Sequence, residues 1–385
     1  MAKQYAIVGS FSFQAKTGKG ISSFTYDPET ADMTRVCNLR DEATIGAHCS
    51  DSETDMIYAT REEADIPGIK GGGGDTISFK LDRETGMLTQ TGETSSLEPQ
   101  PSYVRLDKSK KYVLTTNHGT NNVVTKVVRC PDGSFTNHII ADDGALILYR
   151  VNDDGSIGDI CDVCIVPGND KVVQYPHSAR AVNGIPHLHS VMPDPTGELY
   201  VVCDKGVDKV YSFKIDRENG KIIHTDTIQC DRFTAPRYTA MHPTLPLFYE
   251  NNEDSSDLIV FGYDVETGKL TEKLRVPVAE GDAAKGMSSD IAVSLDGKAL
   301  YAAVRGSDVI SVFLLDADGM PKLKESLPCG GEAPRGVCVT PDGRFFLVAN
   351  TNSNNIAVFS ICEDGSLADT GKRIDAPCPG NISIM

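Results

Sequence analysis

Four residues in the middle of the chain have the types needed for hydrolysis at a carbonyl: His189, Arg237, Glu253 and Arg305. Such a reaction needs a base to activate water and a donor for the oxyanion that forms. Glu253 or His189 fits the first role. Arg237 or Arg305 fits the second, and either can also hold a carboxylate product. Arg335 adds a guanidinium able to clamp a phosphate through two parallel hydrogen bonds. The chain has no nucleophilic Ser elbow and no HExxH run, which disfavours an acyl-enzyme or a zinc hydrolase. His187 and His189 are not expected to chelate one metal. Neither a metal nor another cofactor is expected.

The elements that position these residues form a repeat. An acidic turn, usually containing Gly, recurs at Asp27, Asp82, Asp153, Asp216, Asp264, Asp316 and Glu363, a mean period of about 56 residues. Each follows an alternating apolar–polar strand, such as 259–263 or 310–314. Earlier in the unit stands a hairpin, whose turn is Pro195-Thr-Gly, Leu295-Asp-Gly or Pro341-Asp-Gly in three cases. Seven units of four short antiparallel strands predict an all-β fold, a seven-bladed β-propeller around a central channel. Residues 5–10 read as a second strand lacking its first, and 379–385 as a first strand lacking the rest. One blade is therefore expected to be closed by both termini, which hides the edges of an open array. Residues 1–385 are read as one propeller domain.

The repeat also predicts a rim. Counting four residues on from the aromatic or apolar position of each second strand gives Gly9, Glu62, Asn117, Asp204, Glu253, Arg305 and Asn350. The facing first-strand positions are His48, Ser102, His189, Arg237, Asp290, Arg335 and Gly380. Three Arg, two His and four carboxylates exceed what a water-filled channel requires, since unpaired buried charge is costly. Arg335, Asp290, Asp204, Asn350, His48, Glu62 and Asn117 are accordingly read as substrate-binding.

Composition narrows the ligand. Asp and Glu outnumber Lys and Arg by 54 to 37, for a net charge of −17, which argues against nucleic acid or an anionic membrane as partner. No apolar run reaches membrane-spanning length and the first residues read as a strand rather than a signal peptide, so a cytoplasmic location is expected. Eleven irregularly spaced Cys read as reduced thiols, and the lone Cys161-x-x-Cys164 as structural. Residues 129–146 and 167–187 exceed the unit, and Gly71–Gly74 reads as a flexible connector.

Four segments carry a resemblance: Pro186-His-Leu-His-Ser190 with Asp204-Lys-Gly-Val-Asp208; Ala235-Pro-Arg237 with Tyr249-Glu-Asn-Asn-Glu253; Asp290-Ile-Ala-Val with Arg305-Gly-Ser-Asp; and Ala333-Pro-Arg-Gly336 with Pro341-Asp-Gly. Together they resemble the lactonase family of seven-bladed propellers, which includes a bacterial 6-phosphogluconolactonase and a fungal carboxymuconate cyclase. The resemblance spans nearly the whole chain and is tightest from 186 to 360. It implies that His189, Arg237, Glu253 and Arg305 carry the chemistry. It further implies a metal-independent hydrolase of an anionic sugar lactone in carbohydrate metabolism, in the pentose phosphate pathway. The alternatives are a cycloisomerase closing a carboxylated muconate and a non-catalytic scaffold. A small anionic lactone or carboxylate is the expected partner, and protein partners are left open.

Overall fold

The computed structural model describes residues 3–11, 20–66, 69–168, 173–174 and 182–385. Seven four-stranded antiparallel sheets follow one another along the chain. Their innermost strands are Ile45–Asp51, Pro101–Leu106, Leu188–Pro193, Pro236–Met241, Met287–Val293, Pro334–Val339 and Pro379–Ile384. Each inner strand lies beside the next, and the last lies beside the first, so the ring is closed. Closure uses both ends of the chain, because Pro379–Ile384 pairs with Gln4–Ser10, and Tyr5 and Met385 exchange backbone hydrogen bonds of 2.8 and 2.9 Å. The expected propeller, with its composite blade, is the fold. Blades are numbered here from the composite one, so blade 2 starts at Ile45 and blade 7 at Pro334.

Apolar side chains of the second and third strands pack between blades, and Tyr hydroxyls tie neighbours together. Tyr58, Tyr112, Tyr249 and Tyr301 each donate to a carbonyl in the third-to-fourth turn of the following blade. The repeated acidic turns have a local cause. Asp27, Asp82, Asp216 and Asp264 each accept a backbone N–H two or three residues ahead at 2.8–3.1 Å, closing the turn without outside help.

All of these turns lie on the rim opposite the ends of the second strands. On the other rim the connections are unequal. Blades 4–7 turn tightly at 205–208, 253–256, 306–308 and 351–354. Blade 2 inserts a short hairpin, Asp65–Ile66 with Ile69–Gly72, between its second and third strands. Of the run expected to be a connector, Gly71 and Gly72 instead end this hairpin strand, while Gly73 and Gly74 join it to the third strand. Gly71, Gly72 and Gly74 have φ of 90°, 67° and 110°, and the Gly71 N–H donates to Asp65 Oδ1 at 2.8 Å. Blade 3 carries a longer hairpin, Val123–Arg129 with Phe135–Ala141, which overlaps the excess expected at 129–146 but begins six residues before it. Much of the other long segment, 167–187, lies outside the described residues.

Candidate functional site

A β-bulge recurs at the corresponding place in every inner strand and leaves one residue unpaired, or two in blade 6. The register slips by one between Ile45 and Ala47, Pro101 and Tyr103, Leu188 and Ser190, Pro236 and Tyr238, and Pro334 and Gly336. The extra residues are therefore Gly46, Ser102, His189, Arg237 and Arg335. Gly380 occupies the same place in the closing strand. In blade 6 the slip falls between Ser288 and Ile291. Ser289 is the equivalent of Ser102: each hydroxyl donates to its own second strand and to the next blade's inner strand, at Pro334 O and Leu188 O respectively.

The same register identifies the second-strand rim as the residue just past the partner of the pair that precedes the bulge: Phe11, Glu62, His118, Lys205, Glu253, Arg305 and Thr351. Glu62, Glu253, Arg305, Ser102, His189, Arg237, Arg335 and Gly380 thus stand where the sequence placed them. Six positions need correction. Asn117, Asp204 and Asn350 are one residue short and cap turns instead. Asn117 Nδ2 donates to Glu98 O at 2.6 Å and Asn350 Nδ2 to Cys329 O at 3.1 Å. Asp204 accepts the N–H groups of His187, Gly206 and Val207. Gly9 is two short and lies inside the paired strand. His48 is two residues deeper than the bulge and meets Ser383 Oγ at 3.0 Å. Asp290 accepts the N–H of Ile291 at 2.8 Å and of Val337 at 2.9 Å, tying blade 6 to blade 7.

The corrected rim brings in Lys205 and His118, which counting had passed over. Lys205 Nζ lies 3.1 Å from both oxygens of Glu253. Arg237 Nε donates to Glu253 Oε2 at 2.7 Å, and Arg305 Nη2 lies 3.4 Å from the same oxygen. Arg237 is 1% exposed and is anchored by several contacts. Its Nη1 donates to Ser289 O, its guanidinium stacks 4.6 Å from the Tyr238 ring centroid, and its own N–H donates to Glu250 Oε1. Three cations around one carboxylate keep Glu253 ionised far below the usual range, despite burial that acts the other way. His189 packs beside Tyr238 and edge-on to His118, which stacks on His187 at 4.1 Å. Burial and the nearby Arg237 and Lys205 hold His189 neutral.

Across the channel the balance is different. Glu62 lies 4.0 Å from Arg335 Nη2, and Arg335 stacks over the Phe11 ring at 3.3 Å. Gly46 leaves the room that Glu62 occupies, since a Cβ there would collide with Oε2. Beneath the charged ring, Tyr103 and Tyr238 meet edge to face at 5.1 Å. They belong to blades 3 and 5, so their contact spans the channel and forms a floor. His189 Nδ1 and Arg305 Nε, both buried, have no partner among the described residues. The mouth therefore offers four cations, two carboxylates and unsatisfied hydrogen-bonding groups above an aromatic floor.

Comparison with known proteins gives the family and agrees with the fold. A Bacillus subtilis 6-phosphogluconolactonase is 24% identical over 389 residues, covering 100% of this chain and 99% of its own. A Formosa agariphila 6-phosphogluconolactonase is 27% identical over 292 residues, 74% of each chain. The solved periplasmic gluconolactonase of Pseudomonas aeruginosa superimposes with a TM-score of 0.80 at 21% identity, covering 99% of both chains, which speaks to the fold. No helix among the described residues is long and apolar enough to cross a membrane. The family model described as lactonase, seven-bladed β-propeller matches residues 5–384, and the chain belongs to that family.

Proposed function

We propose that the protein hydrolyses an anionic sugar lactone, 6-phosphogluconolactone or a close analogue. The observation that carries this reading is the convergence of Lys205, Arg237 and Arg305 on Glu253, with Arg335 across the channel. In a chain of net charge −17, this mouth is a local excess of positive charge, two carboxylates against four cations. An anion entering it meets donors already desolvated and aimed, which favours charge that develops in the transition state. Arg305 and Arg237 are the donors for the oxyanion and for the carboxylate product, with His189 as a neutral neighbour. Arg335, on the far side, is the group for a phosphate. This chemistry uses no metal, so chelators are expected to leave turnover unchanged. A phosphorylated sugar substrate would place the protein in the cytoplasm.

The test is hydrolysis of phosphorylated against unphosphorylated gluconolactone by the purified protein, corrected for spontaneous opening. Faster opening of the phosphorylated lactone is expected. No acceleration of either lactone overturns the reading. Closure of a carboxylated muconate instead would establish the cycloisomerase alternative.

A further inference from the structure

The two rim carboxylates occupy opposite environments, and that difference identifies a base. Glu253 has each oxygen committed to a cation. A proton arriving there would displace Lys205, Arg237 and Arg305 from their common ligand. His189 fares no better, because a proton on it would sit beside Arg237 and Lys205. Glu62 is 7% exposed, yet its carboxylate accepts no hydrogen bond from the described residues, and the nearest cation atom, Arg335 Nη2, is 4.0 Å away. It is anchored through its own N–H, which donates to Thr44 O at 2.9 Å. The inner strand yields space for it at Gly46. A carboxylate held in place without donors is suited to accept a proton from a water or a substrate.

Resting on the lactonase reading above, we infer that Glu62 takes the proton from the attacking water, while Glu253 acts as the shared ligand that positions the three cations. The water oxygen bonds to the acyl carbon and the ring C–O bond breaks. The proton held by Glu62 passes to the departing ring oxygen. The second water proton is released when the product acid ionises. The carboxylate formed is left on the cation side of the channel. The groups that face Glu62 are Arg335 of blade 7, Arg237 of blade 5, Lys205 of blade 4, Tyr238 of the floor and the adjoining Glu63. Burial outweighs the three cations and pushes its carboxyl up to about 7, the range in which a base serves best at neutral pH.

The experiment compares Glu62→Gln, Glu253→Gln and Gly46→Ala with the parent on phosphorylated gluconolactone across pH. Glu62→Gln is expected to lower kcat by roughly 10²-fold or more with little change in KM, and to abolish the limb near pH 7. Gly46→Ala, which displaces the carboxylate without removing it, should share the loss. Glu253→Gln should keep the limb and change KM. An unchanged kcat and limb in Glu62→Gln overturns the assignment while leaving the lactonase reading intact. If the parent opens no lactone, that reading fails instead. Infrared titration is then decisive for the carboxyl: an acid band lost near pH 7 in the parent and absent in Glu62→Gln supports a proton-accepting Glu62, and its absence from the parent overturns it.

Discussion

Blades 4–7 and blades 1–3 share one architecture and have diverged at one rim. In blades 4–7 the second-to-third turns are tight, and these blades supply Lys205, Arg237, Glu253, Arg305, Arg335 and His189. Blades 1–3 supply Phe11, Glu62, His118, Gly46 and Ser102, and blades 2 and 3 carry the extra hairpins. Short turns on a packed blade give a side chain a fixed origin, which a buried cluster of charges requires. Longer connections cost little and vary freely, which suits walls that choose a ligand. On the function proposed above, the charged half would hold the anion, while the other half supplies a carboxylate with no hydrogen-bond donor and a boundary.

The strongest way to break this comparison is to remove the shared ligand of the charged half. Glu253→Ala leaves three cations facing one another, and is expected to cost about 3–5 kcal/mol in urea denaturation at pH 7. Because the carboxyl of Glu253 is held below its usual value, its contribution is present above about pH 4.5 and fades as pH falls through the folded value. The variant should therefore show a flatter acid side than the parent. A variant as stable as the parent at pH 7 would mean that solvent already screens the cluster.

Glu62 should respond with the opposite sign. Its folded carboxyl is raised, so its contribution is full below the unfolded value and is lost as pH rises toward about 7. Glu62→Gln avoids that loss and is expected to exceed the parent at pH 8 by on the order of 3 kcal/mol, with the two converging near pH 4. Thermal melts at both pH values measure this, and a variant less stable than the parent at pH 8 contradicts it.

Binding sharpens the comparison further. Arg237→Ala and Arg305→Ala are each expected to weaken gluconate 6-phosphate by about 1.5–3 kcal/mol, the scale of a charge-assisted hydrogen bond. Calorimetry reads this directly, and parent-like affinity in both variants would make the rim a solvated channel. The smallest effect belongs to the blade 3 hairpin. Val127 is 77% exposed and Phe135 63%, so replacing 121–141 by a tight turn should change stability by less than about 1 kcal/mol. Any change it brings should fall on KM for different lactones, and a large loss of stability would show that the hairpin is part of the core.

The fold was legible because its signals are local and repeated. Asp27, Asp82, Asp216 and Asp264 close their own turns, and alternation along strands such as Asp257–Tyr263 marks which side is buried. The site was legible only in part. Counting from the aromatic position succeeds where that residue stands three before the strand's partner in the pair preceding the bulge, as Tyr58, Tyr249 and Tyr301 do, and yields Glu62, Glu253 and Arg305. Where the residue stands four before, as Tyr200 and Phe346 do, the same count stops at Asp204 and Asn350. A one-residue error in a strand selects the opposite face, so Lys205 and Thr351 were missed.

What the sequence by itself determined is therefore the seven-unit repeat, its closure by residues 4–10 and 379–384, and the presence of Arg, Glu and His near one rim. These follow from periodicity and composition, which each unit carries alone. Only the tertiary structure decided which neighbour of each pair faces the channel. That choice is made by a bulge, and a bulge is visible only as a slip in hydrogen-bonded register between two strands. It also decided that Glu253 is hydrogen-bonded by cations and Glu62 is not. Lys205, Arg237, Glu253 and Arg305 come from three blades, and closing the ring is what brings them around one carboxylate.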